Sequence, residues 1–584
     1  MNALFRLYGN MKRYIIYVIL AVVFVYFQVR ANLELPTLMS NIINNGILQG
    51  NVNYIWKEGI LMLLVAGLGI VASIIANLFS SISSMSFGKD VRSKLFKHVE
   101  DFSLYEFNKF GASTLLTRTT NDVVQIQQST RMLIMMLPNS IFTGIDAIIL
   151  AYSLSPYLTK VLIITVVIVF VLIAILIRPI TLLFLQIQKQ IDKINKVLRE
   201  NIIGVRVVRA FDKIEYEKNR FDKANLDVTN TYIKANRIMS ILMPLAMVSM
   251  NLAIIAILWF GTIGLNAGNV NLGAMIAFIQ YASMILMSII FFTMLFVMFP
   301  RAVAASERVV EVLDTKIEIK DIENAKTFSK EEKGNIKFNN VSFKFLHAEE
   351  PVLSKITFEA KKGEVVGILG TTGSGKSTLL NLITRLYDVT EGSILIDGVD
   401  VREIPQEELR KKISFAPQKA VIFTGTVKEN IKIGNPEATD EEIIEASKIA
   451  QAHEFIEKLP LGYDTVISEG GTNLSGGQKQ RISIARAILR KGDIFVFDDC
   501  FSALDFKTEA KVRLALNEIL KNATTIIVAQ RVASIMRANK IIVLDEGKIK
   551  GIGTHKELME TSEIYREIVN SQLSSKDLTR EEPV

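Results

Sequence analysis

Gly370-Thr-Thr-Gly-Ser-Gly-Lys-Ser-Thr378 is the stretch on which the reading of this chain turns. Its spacing is G-x-x-x-x-G-K-S. Glycines at those positions let the backbone curl until successive N–H groups point inward at phosphate oxygens. The Lys376 side chain then reaches the terminal phosphates, and the Ser377 hydroxyl is placed to ligate Mg²⁺. The flanks fit. Glu364-Val-Val-Gly-Ile-Leu369 has the pattern of a buried strand, and Leu379-Leu-Asn-Leu-Ile-Thr-Arg385 that of a helix. Phosphates held by the loop therefore lie at a helix N-terminus, where the backbone dipoles favour negative charge.

The chain around this stretch is too long for one domain and too apolar for an ordinary soluble protein, with 584 residues, half of them hydrophobic. The mean hydropathy is +0.32. The apolar excess is concentrated before about residue 300, and the remainder of the chain has the composition of a soluble α/β domain. The net charge of +8 would suit nucleic acid, but its distribution does not. Lys and Arg crowd into 85–131 and 178–237 and avoid 36–56, 152–159 and 261–300. Positive connections alternating with uncharged ones mark a multi-span membrane protein, and no nucleic-acid partner is expected. Cys500 is the single cysteine, so no internal disulfide is possible, which suits a reducing cytosol.

A membrane-spanning helix needs about 20 apolar residues. Six candidates lie at about 14–38, 58–84, 132–153, 158–178, 240–265 and 272–300. The first has basic residues before it and no small-residue cleavage site after it, so it reads as a retained span with a cytosolic N-terminus. Six spans return the chain to the cytosol at Arg301. The expected order is a transmembrane domain over 1–310, a charged linker over 311–333, a nucleotide domain over 334–572 and a tail over 573–584. The connections at Ser153–Tyr157 and Asn266–Leu272 are short. The internal ones keep helical periodicity, as in Leu183–Asn219, and read as membrane helices continuing into the cytosol. Two features there, Thr117–Asp122 at an expected turn and Glu200–Phe211 around a mid-helix glycine, fit either a solvated stalk or a docking surface. Among polar residues within the spans, Arg30 and Glu34 are spaced to pair on one helix face, and Asp146, Asn251 and Gln280 are the others. Methionines crowd the last two spans, which suits apolar packing or an adaptable binding surface.

In the second half, Asn335–Phe345 alternates like a strand and ends on an aromatic ring able to stack on adenine. Ile413–Gln418 is a strand ending in an amide. Asp493-Ile-Phe-Val-Phe-Asp-Asp499 is an apolar strand ending in two carboxylates, as Mg²⁺ coordination beside a phosphate loop requires. Asn473-Leu-Ser-Gly-Gly-Gln478 and Ser502-Ala-Leu-Asp505 lie on either side of it.

Gly370–Thr378, Gln418, Leu474–Gln478, Ile494–Asp498 and Ser502–Asp505, in this order, resemble the nucleotide-binding domain of an ABC transporter. With six preceding spans the chain resembles a bacterial half-transporter of the exporter type. That resemblance implies an all-α membrane domain of six helices with long cytosolic extensions. It also implies an α/β P-loop ATPase domain with an antiparallel β subdomain and a helical subdomain, in the cytoplasmic membrane. The implied cofactors are ATP and Mg²⁺. Two nucleotide domains pair head to tail. ATP then lies against Phe345, Gly370, Thr371, Thr372, Gly373, Ser374, Gly375, Lys376, Ser377 and Thr378. Ser377, Gln418 and Asp498 organise Mg²⁺. Leu474, Ser475, Gly476, Gly477 and Gln478 serve the partner's ATP, and Ser502 and Asp505 lie at the dimer interface. The same resemblance favours the docking role for Thr117–Asp122 and Glu200–Phe211.

Two positions depart from the pattern. The family places a glutamate, which polarises the attacking water, after the Mg²⁺ aspartate; here Asp499 stands there. It places a histidine after the next strand; here Gln530 stands there. Aspartate leaves the carboxylate about an ångström short, a displacement able to cost ~100-fold in rate. Glutamine carries no charge. The pair resembles the degenerate site of a heterodimeric multidrug exporter, with a second half-transporter as partner, an amphiphilic small molecule as cargo and a lipid bilayer around it. A homodimeric lipid or peptide exporter and an ATP-gated regulator or channel remain open. Only about a dozen residues precede the first span, which weighs against peptidase-containing exporters. Glu34, Asp146 and Gln280 are the expected cargo contacts.

Overall fold

The computed structural model describes residues 2–322, 325–328, 333–346 and 348–572. The expected tail at 573–584 and parts of the expected linker lie outside the described residues. The chain divides into two units, residues 1–101 with 110–315, and residues 102–109 with 316–584.

The first unit is helical throughout. Its long helices are Ile15–Asn41, Val52–Glu100, Val123–Leu154, Pro156–Ala210, Ile214–Asn266 and Leu272–Asp314. Among the described residues, five stretches are long and apolar enough to cross a membrane: Asn2–Ile47, Val52–Glu100, Ala112–Leu154, Met247–Asn266 and Leu272–Asp314. The span expected at 158–178 lies on Pro156–Ala210, whose apolar part is described only over Pro156–Ile168. At 1.5 Å per residue, helices of 49, 55 and 53 residues are much longer than a bilayer is thick. The cytosolic extensions read from the periodicity are thus unbroken continuations of the spans. Their ends are set locally. Ser155 caps the helix after it by accepting from Leu158 N, with Pro156 in the first turn. Asn51 accepts from Tyr54 N in the same way.

One expectation is corrected here. Arg118–Asp122 is no turn but a π-helical segment running straight into Val123–Leu154. The break falls earlier, at Gly111, which takes φ +77°. Asp122 is buried and receives both Nε and an Nη of Arg308, at 2.8 and 2.5 Å. Arg118 reaches Glu311 and the Arg308 carbonyl. Arg118 and Asp122 therefore hold helix Leu272–Asp314, while the Thr119 and Thr120 hydroxyls donate back to the Leu115 and Leu116 carbonyls.

Helices pack closely through small residues. The Gly273 Cα faces the Ser40 carbonyl oxygen, and a methyl built there would collide with it. Nearby, the buried Tyr281 hydroxyl lies 2.8 Å from Thr37 Oγ1 and donates to the Leu33 carbonyl.

In the second unit, β1 (Ile336–Phe343), β2 (Leu353–Ala360), β4 (Glu391–Ile396) and β5 (Val399–Asp400) form an antiparallel sheet in the order β2-β1-β4-β5. A larger sheet takes β3 (Val365–Leu369), β6 (Ile413–Ala416), β9 (Ile494–Asp498), β10 (Thr524–Val528), β11 (Lys540–Asp545) and β12 (Lys548–Gly553) in the order β12-β11-β3-β10-β9-β6. β7 (Gly425–Thr426) and β8 (Val466–Ile467) make a small separate pair. β6, β9, β10, β3 and β11 run parallel. They are apolar runs because both faces are covered. Helices Val427–Lys432, Asp440–Ile449 and Gly476–Arg490 pack with the larger sheet in one core; the antiparallel sheet closes a second. The segment Phe102–Lys109 belongs to this unit. Its buried Glu106 accepts from Glu318 N at 3.1 Å, and Asn108 donates to the Tyr387 hydroxyl at 3.4 Å.

Gly273→Ala should destabilise the protein by about 1–3 kcal/mol, the usual cost of an overpacked contact. Gly59, with open space around it, should accept Ala without loss. Thermal unfolding in detergent, compared between the two variants, checks this.

Candidate nucleotide site

Every group in the second-unit site leaves the same edge of the parallel sheet. The loop 370–375 follows β3, Gln418 follows β6, Asp498 and Asp499 end β9, and Gln530 follows β10. Ligands of open parallel sheets bind at this carboxyl edge.

The loop is built for close approach. Gly373 and Gly375 take φ of +89° and +96°, a region other residues avoid. A methyl on Gly370 would run into the Leu544 carbonyl oxygen. Helix Lys376–Ile383 follows directly. Lys376 Nζ folds back to donate to the carbonyls of Gly370 at 2.9 Å and Thr371 at 2.7 Å. Burial lowers its pKa, opposed by Asp499 and Asp498. Ser377 Oγ lies 3.4 Å from Asp498 Oδ1. Burial raises the Asp498 carboxyl and the adjacent Asp499 adds to the rise, while the Ser377 hydrogen bond opposes it. Ser374 Oγ is buried without a hydrogen-bond partner beside them. A hydroxyl–carboxylate pair and a lysine lining one cavity of about 220 Å³, with the orphan Ser374 hydroxyl in the adjoining loop, fit a Mg²⁺–phosphate group. Bound there, the ion would neutralise phosphate charge.

Asp499 is held differently. Its φ is +44°, and its backbone N donates to the Val528 carbonyl at 2.9 Å. Its Oδ2 accepts from two amides, Gln530 Nε2 at 2.9 Å and Gln418 Nε2 at 3.3 Å. The two unusual residues thus bond to each other, and among the described residues no imidazole or longer carboxylate takes part.

The cavity includes Thr372, Gly373, Gly375, Lys376, Ser377, Thr378, Gln418, Asp498, Asp499 and Gln530 among its walls, and not Phe345. The Phe345 ring packs edge-on to Phe343 at 4.9 Å and to Tyr387 at 5.5 Å between centroids. Tyr387 escaped sequence reasoning; its only signal was an aromatic residue just beyond the loop helix.

Leu474–Gln478 is absent from that cavity too. Leu474 is buried, while Ser475 and Gly476 are exposed. Ser475 Oγ accepts from Gln478 N, and Gln478 Oε1 from Ser475 N, a capping box that starts helix Gly476–Arg490. Ser502 Oγ donates to the Asp499 carbonyl, and Asp505 caps helix Phe506–Leu520 through Thr508 N. In the membrane unit Arg30 and Glu34 lie 3.8 Å apart on one helix. Asp146 Oδ2 is buried without a partner, and Gln280 is half-buried. The three expected cargo contacts stand on three helices, and among the described residues no hydrogen bond joins them.

Residues 18–289 match the family model described as the ABC transporter transmembrane region, and residues 353–502 the one described as ABC transporter. The chain belongs to the ABC transporter family. An uncharacterized ABC transporter ATP-binding protein of Mycobacterium tuberculosis is 39% identical over 545 residues, covering 93% of each chain. YfiB of Bacillus subtilis, also described as uncharacterized, is 37% identical over 96% of this chain and 97% of its own. The ATP-dependent lipid A-core flippase of Desulfotalea psychrophila is 33% identical over 83% of this chain and 84% of its own. A bacterial Atm1-family ABC exporter with ATP bound superposes with a TM-score of 0.77 at 25% identity, covering 97% of this chain and all of that one. This transporter is an ATP-hydrolysing exporter half with fused membrane and nucleotide-binding domains, a multi-pass protein of the cytoplasmic membrane.

Asp498→Asn should raise the unfolding midpoint of the nucleotide-free transporter at neutral pH by about 2 °C or more. A carboxyl whose folded pKa is raised contributes stability below the ordinary carboxylate range and loses it as pH rises through the raised value. The gap between variant and wild type should therefore close in acid. Thermal melts across pH, with Mg²⁺–ATP binding lost in the variant, test both halves.

Proposed function

We propose that this chain is one half of a heterodimeric exporter of amphiphilic compounds, and that its own phosphate loop forms a slowly hydrolysing ATP site. The observation that carries it is the Asp499 carboxylate, tied to the side-chain amides of Gln418 and Gln530. With Oδ2 engaged by two amide N–H groups, the carboxylate has less acceptor capacity left to orient an attacking water. Gln530 can donate a hydrogen bond but carries no charge to place beside a γ-phosphate. Phe345, the 370–378 loop, Ser377 and Asp498 then bind Mg²⁺–ATP without prompt turnover. The exposed Ser475 and Gly476 at a helix N-terminus suit the phosphates of the partner's ATP, where the partner supplies the hydrolytic groups. Ser502 and Asp505 flank that surface.

The cargo class rests on the membrane unit. Its spans are largely apolar, and the unpartnered Asp146 carboxylate and the Glu34 carboxylate are ionisable groups within them, so an apolar body with a cationic head is favoured. A homodimeric lipid exporter is the second reading, favoured by the 33% identity to a lipid A-core flippase.

Two measurements separate these. The heterodimer predicts negligible ATPase from the purified single chain and turnover once a second half-transporter is co-purified; robust turnover by the single chain favours the homodimer. Asp499→Glu with Gln530→His should raise hydrolysis at the chain's own site about tenfold or more, as general-base groups contribute on the order of 100-fold. An unchanged rate would place the fault outside these residues.

A further inference from the structure

The C-terminal helix Glu563–Gln572 ends against the loop that carries Gln530. One side carries the stripe Tyr565, Val569 and Gln572, spaced four and three residues apart, as one side of a helix requires, with Gln572 at its exposed end. Tyr565 and Val569 are fully buried in the same core as β9. The Tyr565 hydroxyl is bonded to His555 Nδ1 at 2.8 Å. The helix is thus a fixed post, and Gln572 is the exposed group that ends this stripe.

The loop needs such a post. β10 makes its last sheet bond when Ala529 N donates to the Ile368 carbonyl, on the strand that leads into the phosphate loop. From Gln530 onward the backbone pairs with no neighbouring strand among the described residues. Gln572 supplies the missing partner. Its Nε2 donates to the Gln530 carbonyl at 2.8 Å, and its Oε1 accepts from Val532 N at 2.8 Å. One side-chain amide thereby pairs with the backbone on both sides of Arg531, as a neighbouring strand would. The Gln530 side chain, fixed at its root, puts Nε2 at 2.9 Å from Asp499 Oδ2.

We propose that Gln572 is a positioning residue for the nucleotide site: it pins residues 530–532 so that the Gln530 amide stays engaged with Asp499. This rests on the reading of Gln530 as a group facing the terminal phosphate. Gln572 itself lines no part of the cavity. It acts through the backbone of Gln530, so its loss leaves the phosphate loop and the ring of Phe345 in place.

The test is the rate at which the full-length chain releases radiolabelled ATP, bound with Mg²⁺, into excess unlabelled ATP. Gln530→Ala should speed release about threefold or more, the scale of one neutral hydrogen bond. Gln572→Ala should reproduce at least half of that effect, and the double variant should release no faster than Gln530→Ala alone. Gln572→Glu keeps the acceptor for Val532 N but sets an acceptor-only carboxylate oxygen against the Gln530 carbonyl, so it should release at least as fast as Gln572→Ala. Unfolding midpoints are read alongside; where Gln572→Ala melts below the assay temperature, Gln572→Glu carries the comparison. Wild-type release by both Gln572 variants while Gln530→Ala is faster overturns the positioning role and leaves the site reading standing. Multiplying effects in the double variant overturn it too. Wild-type release by Gln530→Ala overturns both.

Discussion

The parallel register of β3, β10, β9 and β6 is the constraint on which the site depends. Val528 pairs with both Ile368 and Asp498, so the phosphate loop and the carboxylates leave the sheet at one level. Because side chains alternate between faces, a one-residue slip of β9 would turn Asp498 to the opposite face of the sheet. The slip is blocked by burial: Ile494, Phe495, Val496 and Phe497 are each at most 1% exposed, two in each of the two cores. Apolar packing fixes the register, and the register fixes where the charged groups stand.

At the end of β9 that order gives way to local exceptions. Asp498 is buried beside a second carboxylate, which costs solvation and raises its pKa. Asp499 adopts a left-handed φ, a conformation most side chains avoid. These departures cluster where Mg²⁺ and phosphate would offset them. The ties from Gln418 and Gln530 hold Asp499 from two neighbouring strand ends. The edge of the sheet is therefore cross-linked by side-chain amides rather than left as separate loops.

In the membrane unit, ion pairs between segments distant in sequence gather on the last turns of one helix. Near its ends, Arg6 is joined to Asp314, Arg308 to Asp122 and Arg118 to Glu311. Each pair includes the helix Leu272–Asp314, whose last turns are thereby tied to the N-terminal helix and to the 118–122 segment. Within the apolar part, contact relies on small residues such as Gly273 and on the Tyr281 hydroxyl. Without a hydrophobic driving force between helices in lipid, close approach and a satisfied hydroxyl are what distinguish one packing from another.

The sequence by itself determined whatever depends on neighbours along the chain. The loop Gly370–Thr378 is legible because its glycine spacing is a local backbone requirement. The spans are legible because a bilayer sets a length of apolar residues, and the strands because burial on both faces demands unbroken apolar runs. Asp499 and Gln530 stood out only through the resemblance to a family that places a glutamate and a histidine at those positions. Tertiary structure alone decided what these groups touch. The bond between Gln530 and Asp499 joins residues 31 apart; Gln572 reaches back 40 to Val532; Asn108 meets Tyr387 across 279. Thr117–Asp122 looked like a turn because polar residues interrupt the periodicity; its polarity answers to Arg308, 186 residues away from Asp122. An amide or carboxylate can bond in many ways, and its partner is chosen by the packing of elements that no local pattern encodes.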